Sequence, residues 1–195
     1  MLPKFMKDKQ LILVTGPARS GKSEWAEHLA HLSQKKVIYL ATSQVDSSDI
    51  EWQQRIEKHR DRRPSDWQTE EVTINLSKRI SLADKSECLL VDSLGTWIAN
   101  LLAQDEEIWE KTVQSFLLSL QTTDADIILV GEETGWGVVP GYPSGRLFRD
   151  RVGGLVRQVG QFATSVYLIT GGHVLNLTTL GVPLAIAIGP ESQKQ

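Results

Sequence analysis

A three-layer α/β fold with a mostly parallel central sheet is what this 195-residue sequence predicts. Three observations lead there. Five short apolar runs recur along the chain, helical patterns lie between them, and the first run enters a glycine-rich loop that opens a helix. The runs are Leu11–Thr15 (LILVT), Val37–Ala41 (VIYLA), Cys88–Asp92 (CLLVD), Ile127–Val130 (IILV) and Val166–Thr170 (VYLIT). Each has strand length and is continuous rather than alternating, as suits strands buried on both faces of a parallel sheet. Strands alternating with helices imply crossover connections and a layered α/β domain.

The helical segments follow from periodicity. One runs from Ser23 to Leu32 behind the glycine loop. A second, Thr96–Leu102, opens on a threonine and carries Trp97, Ile98, Leu101 and Leu102. A third, Arg146–Ala163, lines up Leu147, Val152, Leu155, Val156, Val159, Phe162 and Ala163 along one stripe. Gly135–Gly145 (GWGVVPGYPSG) reads as a loop beside the site. No repeat or linker divides the chain, so one nucleotide-binding domain is expected over 1–195, with 1–10 as a loose N-terminal extension.

Composition narrows the class. Hydrophobic residues at 41% and charged residues at 23% argue against disorder. A net charge of −3 gives no broad basic surface, so no nucleic-acid partner is expected. The single cysteine, Cys88, lies in an apolar run and reads as a small core residue. Leu11–Val14 is too short for a signal-peptide core, and nothing approaches the ~20 apolar residues of a membrane span. A cytoplasmic enzyme is the expectation.

The chemistry begins at Gly16-Pro17-Ala18-Arg19-Ser20-Gly21-Lys22-Ser23, which fits G-x-x-x-x-G-K-[ST] without a mismatch, between a predicted strand and a predicted helix. Glycines let backbone N–H groups turn inward around phosphate oxygens, and the following helix adds its positive end. Lys22 is placed to reach the β- and γ-phosphates and the Ser23 hydroxyl to bind Mg²⁺. The expected fold is therefore of the P-loop NTPase type (RecA-like). Asp92 ends a buried strand, where such a protein keeps its Mg²⁺-facing carboxylate; it equally suits a residue that merely starts a turn. Glu132 and Glu133 follow the strand Ile127–Val130 and end at the same sheet edge, as site residues or as solvated loop charges.

The stretch DIEWQQRIEKHRDRRP, 49–64, is outside any generic phosphate-loop core. Trp52, Ile56 and His59 fall at i, i+4 and i+7, so in a helix His59 shares the apolar face. Arg55, Lys58, Arg60, Arg62 and Arg63 surround it. A core histidine beside a solvated basic face satisfies this pattern. So does a nucleophile: neutral imidazole attacks phosphorus, and arginines neutralise a phosphate in transfer. His28, His31 and His173 show no identifiable role.

Taken together, ILVTGPARSGKS, VIYLATSQ, RIEKHRDRRP with Trp67 after it, LLVDSLGTWIANLL, GWGVVP and GRLFRDRVGGLVRQV resemble the bifunctional adenosylcobinamide kinase / adenosylcobinamide-phosphate guanylyltransferase family of cobalamin biosynthesis. The resemblance runs from about Leu11 to Gly172. It implies that a nucleoside triphosphate, ATP or GTP, phosphorylates the aminopropanol hydroxyl of adenosylcobinamide. It further implies that GTP guanylylates a histidine, matching His59, and that GMP then passes to adenosylcobinamide phosphate. By the same resemblance Gly16–Ser23, Thr42-Ser43-Gln44, Arg60-Asp61-Arg62-Arg63, Glu71 and Asp92 line the GTP site, and the chains form a homotrimer. Arg62 stands where the family often has glycine, Glu132 where a neutral residue is more usual, and the tail after Leu177 has no counterpart. Two rivals remain at this point: a single-function small-molecule kinase with a structural His59, and a GTP-binding regulatory module.

Overall fold

The computed structural model describes residues 9–44 and 63–188. Its strands are β1 (Leu11–Gly16), β2 (Lys36–Ala41), β3 (Gln68–Glu71), β4 (Glu87–Asp92), β5 (Asp126–Glu132), β6 (Ser165–Thr170) and β7 (His173–Asn176). Its helices are α1 (Lys22–Leu32), α2 (Leu76–Ser81), α3 (Leu94–Asn100), α4 (Glu106–Thr122), α5 (Pro143–Gly160), α6 (Leu177–Leu180) and α7 (Leu184–Ala187). The strands form one sheet in the order β3-β2-β4-β5-β1-β6-β7, parallel throughout except for β7, which returns antiparallel to β6.

Alternation along the inner strands explains their continuous apolar runs. Leu11, Leu13, Leu89, Val91, Ile127 and Leu129 face a core closed by α2–α5 through Ile80, Trp97, Phe116, Leu120, Val152 and Leu155. Ile12, Val14, Cys88, Leu90, Ile128 and Val130 face the other way, onto Ala26, Leu29 and Ala30 of α1. Both sides of each strand are therefore buried, which makes the three layers. Burial raises the Cys88 thiol's pKa to about 12, so it is an inert core residue. Lys9 donates to Leu120 O (2.6 Å) and Gln121 O (3.0 Å) at the end of α4, tying the entry to β1 onto the body. Among the described residues no helix is long and apolar enough to cross a membrane.

The five expected strands are all present. Two expected helices start earlier than the periodicity suggested. Ser93, not Thr96, caps α3: its side chain accepts from the Thr96 N–H while the Thr96 side chain answers the Ser93 N–H, a capping box. Pro143 occupies the first turn of α5, where its missing N–H costs nothing, so the segment 143–145 is helical rather than loop. The tail after Leu177 forms two four-residue helices. The helix expected around His59 lies outside the described residues, as do 1–8.

Strand register sets up everything that follows. Ala41 pairs with both Asp92 and Glu71, Asp92 with Val130, and Gly16 with Glu132. The carboxyl ends of β3, β2, β4, β5 and β1 thus finish along one edge, the edge where open α/β sheets hold ligands.

Candidate active site

The loop from Gly16 to Ser23 leaves β1 and enters α1. Gly16 must be glycine because a Cβ there would sit 2.4 Å from the Ile169 carbonyl oxygen. Gly21, at φ 92°, occupies the left-handed region that closes the loop, and Arg19 adopts a positive φ of 58° beside it. No side chain caps α1. Its first-turn N–H groups are of the kind that bind phosphate. Within the loop the Ser20 hydroxyl is buried without a hydrogen-bond partner among the described residues. Lys22 is buried, its ammonium 3.5 Å from the Pro17 carbonyl oxygen.

A cavity of about 360 Å³ opens at this edge of the sheet. Of the residues expected from the sequence, Ala18, Lys22, Ser23, Ser43, Arg63 and Asp92 line it. Gly16, Pro17, Arg19, Ser20 and Gly21 build the loop behind. Thr42 is fully buried, donating to the Ser93 carbonyl oxygen at 2.7 Å and accepting from the Ser93 N–H at 2.8 Å, so it braces the β4–α3 turn from below. Gln44 and Glu71 are exposed and do not line the cavity; Glu71 ends the edge strand β3. His59, Arg60, Asp61 and Arg62 fall outside the described residues.

Of the remaining wall residues, Glu132 and Glu133, which the sequence leaves open between site residues and solvated loop charges, both line the cavity, and Tyr39 is added by the structure. Tyr39 reaches from β2 to Asp92, donating to Oδ2 at 2.8 Å, while the Arg63 guanidinium lies 4.0 Å from its ring centroid. Burial and the Asp92 charge push the phenol's pKa far up, so Tyr39 stays a donor. Glu132 turns both carboxyl oxygens inward: Oε1 accepts from the Ser93 hydroxyl and Oε2 from the Gly95 N–H at 2.7 Å. Burial raises its pKa, opposed in part by the Ser93 hydrogen bond and the Lys22 ammonium. Glu133 accepts from the Thr15 hydroxyl at 2.7 Å and lines the cavity with Thr134 and Phe148. His173 is exposed, its Nδ1 2.8 Å from the Gly171 carbonyl oxygen, and His28 stacks on Trp25 with centroids 5.2 Å apart; neither lines the cavity.

The model of the CobU family, cobinamide kinase / cobinamide phosphate guanyltransferase, matches residues 12–177. The chain belongs to this family. It is 38% identical over 174 residues to the bifunctional adenosylcobalamin biosynthesis protein CobP of Pseudomonas aeruginosa, covering 88% of this chain and 98% of that one. It is 36% identical over 177 residues to the bifunctional adenosylcobalamin biosynthesis protein CobU of Escherichia coli K12, covering 83% and 96%. A solved chain from Pyrococcus horikoshii OT3 (project PH0250) superposes with TM-score 0.55 at 10% identity, covering 89% of this chain and 88% of that one, a likeness of fold alone.

For this CobU-family chain the donor set also speaks to a metal. The lining of the cavity includes the Ser23 hydroxyl at the start of α1 and the Asp92 carboxylate, which Tyr39 holds in place. No group of three or more His, Cys, Asp or Glu suited to a metal exists among the described residues. Mg²⁺ keeps several waters and is usually held by one or two carboxylates plus substrate phosphates, so these residues fit it better than any ion needing a full protein cage.

Proposed function

We propose that this chain phosphorylates the aminopropanol hydroxyl of adenosylcobinamide with ATP or GTP and then transfers GMP from GTP to the product, giving adenosylcobinamide-GDP and pyrophosphate. The observation that carries this reading is the family match over 12–177, which takes in the phosphate loop, the His59 segment and the cavity wall alike. A single-function kinase and a regulatory GTP-binding module are both disfavoured by near full-length relatives that are bifunctional by name.

In the first reaction the loop amides of Gly16–Ser23 and the Lys22 ammonium grip the triphosphate, so that the acceptor meets a fixed γ-phosphorus. Ser23 and Asp92 would hold Mg²⁺, which when bound would neutralise phosphate charge. In the second, a His59 ring nitrogen attacks the α-phosphorus of GTP. A P–N bond forms, the α–β bridging P–O bond breaks, and pyrophosphate leaves with the electron pair. The phosphate of adenosylcobinamide phosphate then attacks the same phosphorus and frees the imidazole. A covalent relay suits this step because it splits one difficult transfer into two easier ones. Arg60, Arg62 and Arg63 neutralise the phosphates in transit, and Ser43 and Asp61 complete the nucleotide site. The working form is a cytoplasmic homotrimer.

The reading is tested by products. Purified chain, adenosylcobinamide, GTP and Mg²⁺ are expected to give first the corrinoid phosphate and then adenosylcobinamide-GDP with one pyrophosphate each, by mass spectrometry. Accumulation of the phosphate alone would leave only a kinase.

A further inference from the structure

Two adjacent carboxylates close β5, and their surroundings differ. Glu132 has both oxygens engaged, by the Ser93 hydroxyl and by the Gly95 N–H at 2.7 Å. It braces α3 against the sheet and has no lone oxygen to offer a substrate. Glu133 leans the other way, onto β1. Its N–H donates to the Gly16 carbonyl oxygen at 3.0 Å, and its Oε1 accepts from Thr15 Oγ1 at 2.7 Å. Thr15 and Gly16 are the last two residues of β1, so Glu133 is fastened directly at the mouth of the phosphate loop. It is half-buried, it lines the cavity, and its second oxygen has no hydrogen-bond partner among the described residues.

The cavity beyond Glu133 has the character that an alcohol acceptor needs. Ala99 from α3 and Phe148 from α5 supply apolar wall, while Lys22 and Ser23 stand on the phosphate side. The other acidic residues of the wall are committed: Asp92 takes the Tyr39 hydroxyl, and Glu132 is tied to α3. Glu133 lines the cavity with one oxygen anchored by Thr15, which fixes its orientation, while Glu132 beside it is taken up by α3, so the two neighbouring carboxyls take separate roles.

We propose that Glu133 accepts the proton of the acceptor hydroxyl during phosphoryl transfer. The alcohol oxygen bonds to the γ-phosphorus as the β–γ bridging P–O bond breaks. The electron pair of that bond leaves with the nucleoside diphosphate, and the hydroxyl proton passes to Glu133 Oε2 and from there to water. Thr15 holds the carboxylate so that this oxygen is the one presented. The inference rests on the kinase half of the reading above and does not involve the guanylyl step, where no hydroxyl proton has to be removed.

That separation makes the test. Glu133→Gln keeps an oxygen for the Thr15 hydroxyl and loses the ability to take a proton. On one preparation, phosphorylation of adenosylcobinamide and covalent incorporation from α-labelled GTP are both measured. The expected result is a 10²- to 10⁴-fold fall in kcat for phosphorylation. KM for the triphosphate should stay near the wild-type value, and covalent labelling should be unchanged. Label incorporation also reports that the variant is folded with an intact nucleotide site. A phosphorylation kcat within about threefold of wild type, too small for a lost base, overturns the role of Glu133. So does an equal loss of both reactions, which would make the residue part of the nucleotide cradle. A wild-type chain that phosphorylates no corrinoid alcohol overturns the underlying kinase reading instead.

Discussion

The Tyr39 hydroxyl donates to Asp92 at 2.8 Å while the ring beneath carries the Arg63 guanidinium, so one side chain joins Asp92, the proposed Mg²⁺ ligand, to Arg63. Tyr39→Phe keeps the ring and the stack and deletes only the hydrogen bond. Partners that orient a metal ligand typically matter 10- to 100-fold in metal affinity or activity. The variant is therefore expected to need correspondingly more Mg²⁺ for half-maximal phosphorylation, read from a Mg²⁺ titration. An unchanged Mg²⁺ dependence would show that Asp92 does not rely on this bond. At this scale Lys22, Ser23 and Asp92 could be read from the sequence because a local motif or strand end specifies them. Glu132 could not. Its partners Ser93 and Gly95 lie 39 and 37 residues away, and only the pairing of β4 with β5 brings them together.

Elements place these side chains, and the start of α3 shows how tightly. A Cβ on Gly95 would fall 2.3 Å from Glu132 Oε2, so the Gly95 N–H and the carboxylate meet only because no side chain intervenes. Gly95→Ala is expected to displace Glu132 and cost about 1–3 kcal/mol, the usual range for overpacking. Thermal unfolding reads this as a lower Tm than wild type, and an equal Tm would contradict the close approach. Periodicity alone draws the start of α3 at Thr96, because the capping box Ser93–Thr96 begins ahead of the apolar stripe. Strand β3, Gln-Thr-Glu-Glu, is harder to read: among the described residues it pairs only with β2 at the sheet edge, and no apolar residue marks it. β7, four residues long, is the opposite edge. Helix α4 was hidden for another reason. Trp109, Val113, Phe116 and Leu120 keep helical spacing behind an Asp105 N-cap, but its first turns are acidic and exposed, which masks the stripe.

At the scale of the whole molecule the sheet order matters more than any one strand. β5 lies between β1 and β4, so Glu132 and Glu133 stand between the phosphate loop and Asp92. Apolar runs told which segments were strands, but not that order, because burial on both faces looks the same at any inner position. The described part of the site is therefore legible in sequence as a loop and an aspartate, while the way the wall joins these two follows from topology. His59 itself was singled out by resemblance, and its segment lies outside the described residues. Its role is measured directly by incubating the chain with α-labelled GTP and Mg²⁺, denaturing it, and counting retained label before and after acid. Wild type should carry label that acid releases and alkali does not, as a phosphoramidate requires, and His59→Ala should carry none while still phosphorylating adenosylcobinamide. Label on His59→Ala equal to wild type would contradict capture of GMP by this imidazole.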